Sequence, residues 1–428
     1  MLTFNLDSIP KSDLKSLMAR EDVDLSEAVE SARKIIQDVR ARGDSAVREY
    51  AAMYDGFRGS SLQVSERALT SAEERVPKKL LDALNASKKR IEKFHSRQKI
   101  SAFSYADACG VVGQKVIPLD RVGVYVPGGT ANYASTVLMA CVPARLARVQ
   151  DITVCTPAKE GRVSDTILAA ARLCGVTRVF AVGGAHSIAA MAYGTETIPK
   201  VQKIVGPGGA FVSAAKLLVR NDCEIDFLAG PTEILVIADA SAEPSLVAAE
   251  MLAQLEHDPM ARALLVSPSE VLLRRTRNEL EKQIADAARR DVVRAASERG
   301  AIFLKAKEIS QAIEFSNEYA PEHLLVDVVN PAEVLGKIRS AGSVFLGRYS
   351  SVAFGDYCSG TNHILPTKGV AAMKSALSVY DFLKIIPYQS ISSKGAIALS
   401  EIVEQVALSE GLPGHARTAC ARARRPKE

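Results

Sequence analysis

The adjacent residues Glu322 and His323 are of types that often move protons in enzymes. A helix-like run over 310–318 stops before Pro321, because proline cannot donate to the helical hydrogen-bond ladder, and a β-like run over 323–329 follows. A charged pair at such a junction is either removed from water or faces a cleft. Imidazole can take up and return a proton near neutral pH, and a neighbouring carboxylate can activate a water molecule or hold the imidazole in one tautomer. The alternative is a loop-end pair that makes only local hydrogen bonds.

A second set of polar residues has the side chains that bind divalent metals. Gln254 and His257 stand three positions apart in a helix-like segment, so both can reach one point in space. Asp356 lies in a loop of small and polar residues, and Glu410 and His415 bracket a Gly-Leu-Pro-Gly turn. Imidazole, carboxylate and amide groups without thiolate suit zinc in an open site, or a harder ion such as manganese. The alternative for each residue is a capping or surface role.

Three glycine-rich turns follow predicted strands and lead into predicted helices, at 126–130, 181–185 and 205–210. Glycine there lets the backbone approach a phosphate, and the following helix offers unpaired N–H groups. None has the G-x-G-x-x-G fingerprint in the right context, and a tight turn is the commoner reason for paired glycines. Because three such turns end successive strands of one predicted sheet, together they indicate an anionic or nucleotide ligand.

The elements that must position these residues follow from the hydrophobic pattern. Residues 9–100 read as helical, with apolar residues at helical spacing over 25–54 and 77–99. Further helices are predicted at 134–147, 164–174 and 187–193. Strands are predicted at 122–126, 152–155, 179–182, 203–205, 234–238, 263–266, 301–304, 323–329 and 343–346. This alternation is typical of parallel sheets covered by helices on both faces, so the predicted class is α/β.

The amount of alternating structure is too great for one small sheet, and two α/β domains are expected. The predicted boundaries lie near 124 and 234, with an N-terminal appendage at 1–20. The first domain would comprise 21–124 and 235–376, and the second, 125–234, would be inserted into it. The remainder, 377–428, reads as a mostly helical appendage.

Composition excludes several classes of protein. A chain of 428 residues with 47% hydrophobic and 24% charged residues is ordinary for a soluble globular protein. No apolar run approaches the ~18 residues of a membrane helix, and no secretory signal is visible. The seven cysteines are scattered without a C-x-x-C pair, which favours reduced thiols in a cytoplasmic protein. Most of the net charge of +5 comes from the chain beyond His415, so neither nucleic acid nor a membrane is an expected partner.

Several long stretches together resemble the histidinol dehydrogenase family, nearly from end to end. They are RVGVYVPGGTANYASTVLM, FAVGGAHSIAAMAYGT, IVGPGGAFV, LAGPTEILVIAD, AQLEHD, NEYAPEHL, GDYCSGTNHILPT and SEGLPGH. The resemblance implies a homodimer that uses NAD and one zinc ion per subunit. Its expected reaction is the oxidation of L-histidinol to L-histidine through the aldehyde, the last steps of histidine biosynthesis. The expected fold is two incomplete Rossmann-like domains with parallel sheets and helical N- and C-terminal appendages.

The resemblance also implies roles for individual residues. The metal ligands would be Gln254, His257, Asp356 and His415, and the acid–base pair would be Glu322 and His323. The inserted domain would bind NAD, with Tyr125 in contact with it. The C-terminal segment would cross to the partner subunit and help complete its site. The implied substrate-binding set is Thr232, Gln254, His257, His323, Asp356, His363, Glu410 and His415.

Two positions depart from the pattern of the family. His186 stands where Gln is usual, and Gly209 stands where Asn is usual, and both usual residues are associated with NAD. The contacts to the cofactor are therefore left open. The competing hypotheses are a relative that oxidises another small alcohol such as a sulfonated diol, a metal-dependent hydrolase with Glu322 as base, and a non-catalytic nucleotide-binding or scaffolding protein.

Overall fold

The structure is a computed structural model that describes residues 1–20, 25–128, 132–159 and 161–423. They fall into two compact units, each considered by itself. The first comprises Met1–Gln98 and Asp120–Phe382, and the second comprises Lys99–Leu119 and the chain from Leu383 onward. Within the described ranges, no helix is long and apolar enough to cross a membrane.

Strands and helices alternate along most of the first unit, and the elements within 99–119 and from 383 onward belong to the second unit. The strands are β1 (Leu2–Asn5), β2 (Phe103–Asp107), β3 (Gly110–Pro118), β4 (Arg121–Tyr125), β5 (Asp151–Thr156), β6 (Arg178–Ala181), β7 (Lys203–Val205), β8 (Glu224–Ile225), β9 (Glu233–Ala238), β10 (Arg262–Ser267), β11 (Ala301–Lys305), β12 (His323–Asp327), β13 (Ser343–Leu346) and β14 (Leu383–Ile391). The helices are α1 (Lys11–Ala19), α2 (Ser26–Arg42), α3 (Asp44–Tyr54), α4 (Glu66–Thr70), α5 (Ala72–Arg75), α6 (Lys78–His95), α7 (Ala134–Leu146), α8 (Asp165–Leu173), α9 (Gly184–Tyr193), α10 (Ala210–Val219), α11 (Pro244–Leu255), α12 (Glu270–Asp286), α13 (Arg290–Gly300), α14 (Ile309–Tyr319), α15 (Pro331–Leu335), α16 (Val352–Tyr357), α17 (Ser393–Ser409) and α18 (Pro413–Ala423).

The larger sheet of the first unit is parallel and has the order β1-β11-β10-β9-β12-β13. Its central strand β9 is buried along its whole length. Ile234 and Val236 pack into a core with α11, α12 and α13, whereas Leu235 and Ile237 pack on the opposite face with α14. Burial on both faces explains why this strand reads as a continuous apolar run rather than an alternating one.

The second sheet of this unit is also parallel, with the order β6-β5-β4-β7-β8. The three glycine-rich turns follow the carboxyl ends of β4, β6 and β7, as predicted, although Gly129 and Thr130 lie outside the described residues. The predicted fold class, with two parallel sheets and covering helices, is confirmed. The predicted division into a discontinuous and an inserted domain stays a prediction.

Helix boundaries differ from the predictions where glycine intervenes. The helix expected over 25–54 is divided into α2 and α3 at Gly43, whose φ of +55° favours glycine because it has no Cβ. The helix expected from 187 begins earlier, at Gly184. The segment 1–20 supplies the edge strand β1 as well as α1.

The second unit contains a strand that the sequence reading missed. The region after 376 was expected to be mostly helical, but Leu383–Ile391 forms β14, which pairs antiparallel with β3, and β3 pairs with β2. Nearly all side chains of β14 are exposed, so it lacks the alternation of buried and exposed residues that marks a half-buried strand. The C-terminal appendage therefore has a strand as well as α17 and α18.

Candidate active site

Two neighbouring strands carry the predicted acid–base pair. β12 lies next to β9 in parallel register, with His323 opposite Ile234. The amino ends of the two strands therefore place Glu322 and His323 beside Thr232 and Glu233. The chain reaches this point from α14 through Ala320, which ends the helix in a left-handed conformation with φ of +49°.

Glu322 is buried and held by two hydrogen bonds. Its Oε2 accepts from the Thr232 hydroxyl at 2.6 Å and from the backbone N–H of Glu233 at 2.9 Å. Burial raises the pKa of the Glu322 carboxyl to about 7, against the opposing effects of His323 and of the two donors. Because both hydrogen bonds fall on Oε2, Oε1 is left to act on a ligand.

The His323 imidazole is fixed through one ring nitrogen. Nδ1 lies 3.0 Å from the carbonyl oxygen of Glu233, so it must be the donor, and it also lies 3.6 Å from Glu322 Oε2. Nε2 is buried without a hydrogen-bond partner and lies 3.6 Å from Oδ1 of Asp356. Burial acts to lower the pKa of His323, but the Glu322 and Asp356 carboxylates bring it to about 9. Nε2 is therefore the atom free to exchange a proton.

Of the predicted metal ligands in the first unit, Asp356 lies next to this nitrogen, and Gln254 and His257 come from the neighbouring helix α11 and the residues after it. Gln254 lies at the end of α11 and donates its amide N–H to the Thr232 hydroxyl. Its amide oxygen is left as a possible ligand for a cation. His257 follows at the end of that helix, with an exposed side chain. Asp356 comes from α16. Burial acts to raise the pKa of its carboxyl, but the neighbouring histidines, His323 foremost, together lower it. The arrangement offers an amide, an imidazole and a carboxylate.

This donor set fits zinc in an open site, because it has nitrogen and oxygen donors and no thiolate. The orphaned Nε2 of His323 adds a buried polar atom that a bound substrate or ion would satisfy. Within the described ranges, no three His, Cys, Asp or Glu side chains come together closely enough to hold a metal ion. The amide of Gln254 and a ligand from elsewhere are therefore needed to complete the set.

His363 is hydrogen-bonded to the backbone of Asp356 and helps to hold that residue in place. Its Nδ1 donates to the backbone carbonyl of Asp356 at 2.8 Å, and its Nε2 lies 3.4 Å from the Thr136 hydroxyl on α7. The preceding Asn362 is buried and donates to the carbonyl oxygen of Met139 at 2.7 Å. These bonds tie the loop after α16 to α7, and both ring nitrogens of His363 are engaged within the protein.

Two residues expected in the site belong to the second unit. Glu410 follows α17, and His415 lies in the first turn of α18, and both are exposed. The first unit alone therefore brings together Glu322, His323 and Asp356 with Thr232, Gln254 and His257, while the roles of Glu410 and His415 stay predictions.

Tyr125 belongs to the other sheet, at the carboxyl end of β4. Its hydroxyl accepts from the backbone N–H of Gly184, and burial raises its pKa to about 12. The carboxylate of Asp55 accepts from the N–H of Gly183 at 2.7 Å and lies 3.1 Å from Nε2 of the buried His186. His186 is therefore the partner of the Asp55 carboxylate inside the protein.

Several backbone N–H groups of the glycine-rich turns already donate hydrogen bonds to side chains of the protein. Besides the Gly183 and Gly184 amides, the N–H of Gly206 donates to Asp226 at 2.8 Å, and Lys216 pairs with the same buried carboxylate. Gly209 caps the amino end of α10, and a Cβ added there would enter open space. An anion at this edge must therefore be bound by other groups than the amides of Gly183, Gly184 and Gly206.

Sequence reasoning missed the residues on the far side of the acid–base pair. Glu233, Arg20 and Tyr319 form a buried cluster next to Glu322 and His323. The available signal was a glutamate at the start of the otherwise apolar strand β9, since a buried carboxylate requires a partner.

The comparisons with known proteins agree with one another. A sequence model of the histidinol dehydrogenase family matches residues 18–423. Histidinol dehydrogenase of Methanosarcina barkeri is 44% identical over 419 residues, covering 97% of this chain and 96% of the relative. Its namesake in Neisseria gonorrhoeae is 44% identical over 414 residues, covering 96% of each. The crystal structure of histidinol dehydrogenase from Elizabethkingia anophelis matches with a TM-score of 0.92 at 36% identity, covering 99% of this chain and 98% of that one.

Together with the two parallel sheets, these matches define an NAD-dependent oxidoreductase. The chain belongs to the histidinol dehydrogenase family. The predicted family and enzyme class are thereby confirmed.

Proposed function

We propose that the protein is a cytoplasmic, zinc-dependent homodimer that oxidises L-histidinol to L-histidine through the aldehyde with two NAD. The observation that carries this proposal is the buried pair of Glu322 and His323, whose Nε2 is unpartnered and faces Asp356. The alternative substrates are other small alcohols, such as a sulfonated diol. A comparison of NADH formation from L-histidinol and from such a diol tests the choice, and faster turnover of the diol would overturn the proposed substrate.

In the first step, His323 takes the proton of the alcohol. Nδ1 is held by the carbonyl oxygen of Glu233, so the neutral ring has its lone pair on Nε2, the atom that faces the site. As Nε2 removes the hydroxyl proton, the carbinol carbon loses hydride and becomes the aldehyde carbon. NAD supplies the hydride acceptor in both steps.

In the second step, Glu322 activates water. An aldehyde has no hydroxyl proton to lose, so it must add water to form a gem-diol before a second hydride can leave. Oε1 of Glu322 accepts a proton from that water while Thr232 and the Glu233 N–H hold Oε2. As the water adds, Nε2 of His323 returns its proton to the former carbonyl oxygen, which completes the gem-diol and leaves the ring neutral. His323 then removes a gem-diol proton as the second hydride leaves, and the product is the carboxylic acid.

Gln254, His257 and Asp356 would hold the zinc ion together with His415. Bound zinc would anchor the imidazole and amine of histidinol and so orient the carbinol carbon. The negatively charged Glu410 carboxylate would bind the positively charged amino group of the substrate.

The partner subunit is proposed to contribute His415 and Glu410. Both are exposed, and the second unit carries many exposed apolar side chains that a partner would cover. They include Phe103, Tyr105, Ile385, Ile386, Ile397, Ile402, Val406 and Leu408. Many exposed apolar residues within one compact unit are typical of a protein–protein interface.

Removing the metal is expected to abolish NADH formation, because the substrate then has no anchor beside His323. Treatment with a chelator followed by zinc should remove and restore the activity. Replacing His257 with asparagine should weaken zinc binding by roughly 100-fold or more, since even indirect partners contribute 10- to 100-fold. The matched control is Glu256→Gln at the exposed neighbouring position, which should retain zinc. Full activity without bound metal would contradict the proposal.

The oxidation of the aldehyde is expected to slow as the pH falls through about 7. The pKa of Glu322 is raised to about 7, so below that pH the carboxyl holds a proton and cannot accept one from water. The rate should fall roughly tenfold for each pH unit below that point, and above it the rate should rise further until His323, whose pKa is about 9, has lost its proton. Steady-state rates with the aldehyde as substrate measure this, and a flat profile through this range would exclude Glu322 as the base.

A further inference from the structure

Arg20 links the N-terminal segment to the core of the active site. Its Nε and Nη2 donate to the two carboxylate oxygens of Glu233 at 2.7 and 2.8 Å, as a bidentate pair. The Tyr319 hydroxyl donates to Glu233 Oε2 at 2.9 Å, and the guanidinium carbon lies 3.9 Å from the centre of the Tyr319 ring. The side chains of Arg20 and Glu233 are only 10% and 3% exposed, so the pair is largely shielded from water.

The peptide groups of Glu233 hold both members of the acid–base pair. Its N–H donates to Oε2 of Glu322, and its carbonyl oxygen accepts from Nδ1 of His323 at 3.0 Å. Arg20 therefore binds the side chain of Glu233, whose backbone sets the tautomer of His323 and the orientation of Glu322.

Arg20 also acts on the segment that leads into Glu322. Its Nη2 donates to the carbonyl oxygen of Tyr319 at 2.6 Å and lies 3.4 Å from that of Ala320. These carbonyls end α14, where backbone acceptors lack helical partners and a positive charge is favourable. One guanidinium thus joins the start of β9 to the segment before β12, the two places from which the pair projects.

We infer that Arg20 is a positioning residue that aligns Glu322 and His323, an inference that rests on their proposed roles in proton transfer. Stability alone is a weak reason for such a pair, because desolvation offsets much of the attraction between buried charges. The planar fork of arginine fixes the angle of the Glu233 carboxylate as well as its charge, which a lysine ammonium cannot do. Arg20 itself has φ of +51°, a conformation that side chains rarely adopt and that its contacts must maintain.

The test is the turnover of Arg20→Lys and Arg20→Ala, each measured per folded protein. We expect kcat to fall by roughly 10- to 100-fold, because small misplacements of reacting groups have effects of that size, while KM for histidinol and NAD changes little. A cavity of about 480 Å³ lined by Arg20, Glu233 and Arg262 gives small cations access to the vacated position. Millimolar methylguanidinium should therefore restore part of the kcat of Arg20→Ala.

The matched control is Arg262→Ala, which removes an arginine from the same cavity. Arg262 donates to the carbonyl oxygen of Leu17 at 3.0 Å rather than to Glu233, so this variant should keep kcat and show no response to methylguanidinium. If the alanine variant does not fold, the lysine variant alone decides, and native kcat in folded Arg20→Lys overturns the inference. Activity losses that merely follow the unfolded fraction, without rescue, also overturn it. Native activity in Glu322→Gln would instead overturn the proposed roles of the pair.

Discussion

Replacing His323 with asparagine is expected to lower kcat for both oxidation steps by roughly 1000-fold, within the range that general acid–base catalysis supplies. The asparagine amide can still donate to the Glu233 carbonyl but cannot accept a proton, so each hydride transfer loses its base. In the native protein the His323 ring is held with Nδ1 3.0 Å from that carbonyl oxygen, and Nε2 has no hydrogen-bond partner. Steady-state rates with histidinol and with the aldehyde measure the two steps separately.

The control for this variant is retention of the fold, of bound zinc and of the affinity for NAD. Because His323 is buried, a circular dichroism melt must show that the asparagine variant remains folded. A folded, metal-loaded variant that keeps a tenth or more of the native rate for either step would mean that another group is the base.

Replacing Glu322 with glutamine is expected to separate the two steps. The amide oxygen can still accept from Thr232 and from the Glu233 N–H, so the position of His323 should be preserved. Alcohol oxidation should continue, whereas hydration of the aldehyde loses its base and should slow by roughly 100-fold or more. The yield of NADH per histidinol should fall from two to one, and the aldehyde should accumulate and be captured by an amine trap.

Glu318→Gln is the matched control, since Glu318 is an exposed glutamate of α14 only four residues earlier in the chain. It should give the native yield of NADH. An unchanged yield of two in the Glu322→Gln variant would show that water is activated by another group, and loss of both steps would make Glu322 essential to alcohol oxidation as well.

The strands of the two parallel sheets were predictable because they are buried on both faces. Runs such as 263–266 are continuously apolar, and helices separate them, which leaves few other arrangements. The position of Glu322 and His323 at a helix-to-strand junction was predictable for the same local reasons, since Pro321 ends the helical pattern.

The environment of the pair depends on contacts that no local pattern reveals. Arg20 reaches Glu233 across 213 positions of the chain, and nothing around Arg20 marks it as a partner. The occupation of the Gly183 and Gly206 amides by Asp55 and Asp226 is likewise visible only in three dimensions. For that reason the glycine turns predicted a more open anion site than the structure has.

The antiparallel sheet of the second unit was missed for a different reason. β14 is exposed along most of its length, so burial does not impose a period of two on its side chains. Its partner β3 lies far earlier in the sequence, and the hydrogen bonds between them join the two segments of the second unit.

The most direct test of the account is the amount of NADH formed from a limiting quantity of L-histidinol by the zinc-loaded protein with excess NAD. Two NADH per histidinol, with L-histidine as the product, is the result that a site with His323 as proton acceptor and Glu322 as activator of water predicts. One NADH per histidinol would contradict it, because the protein would then stop at the aldehyde. No NADH from histidinol, with NADH formed from another small alcohol, would contradict the proposed substrate.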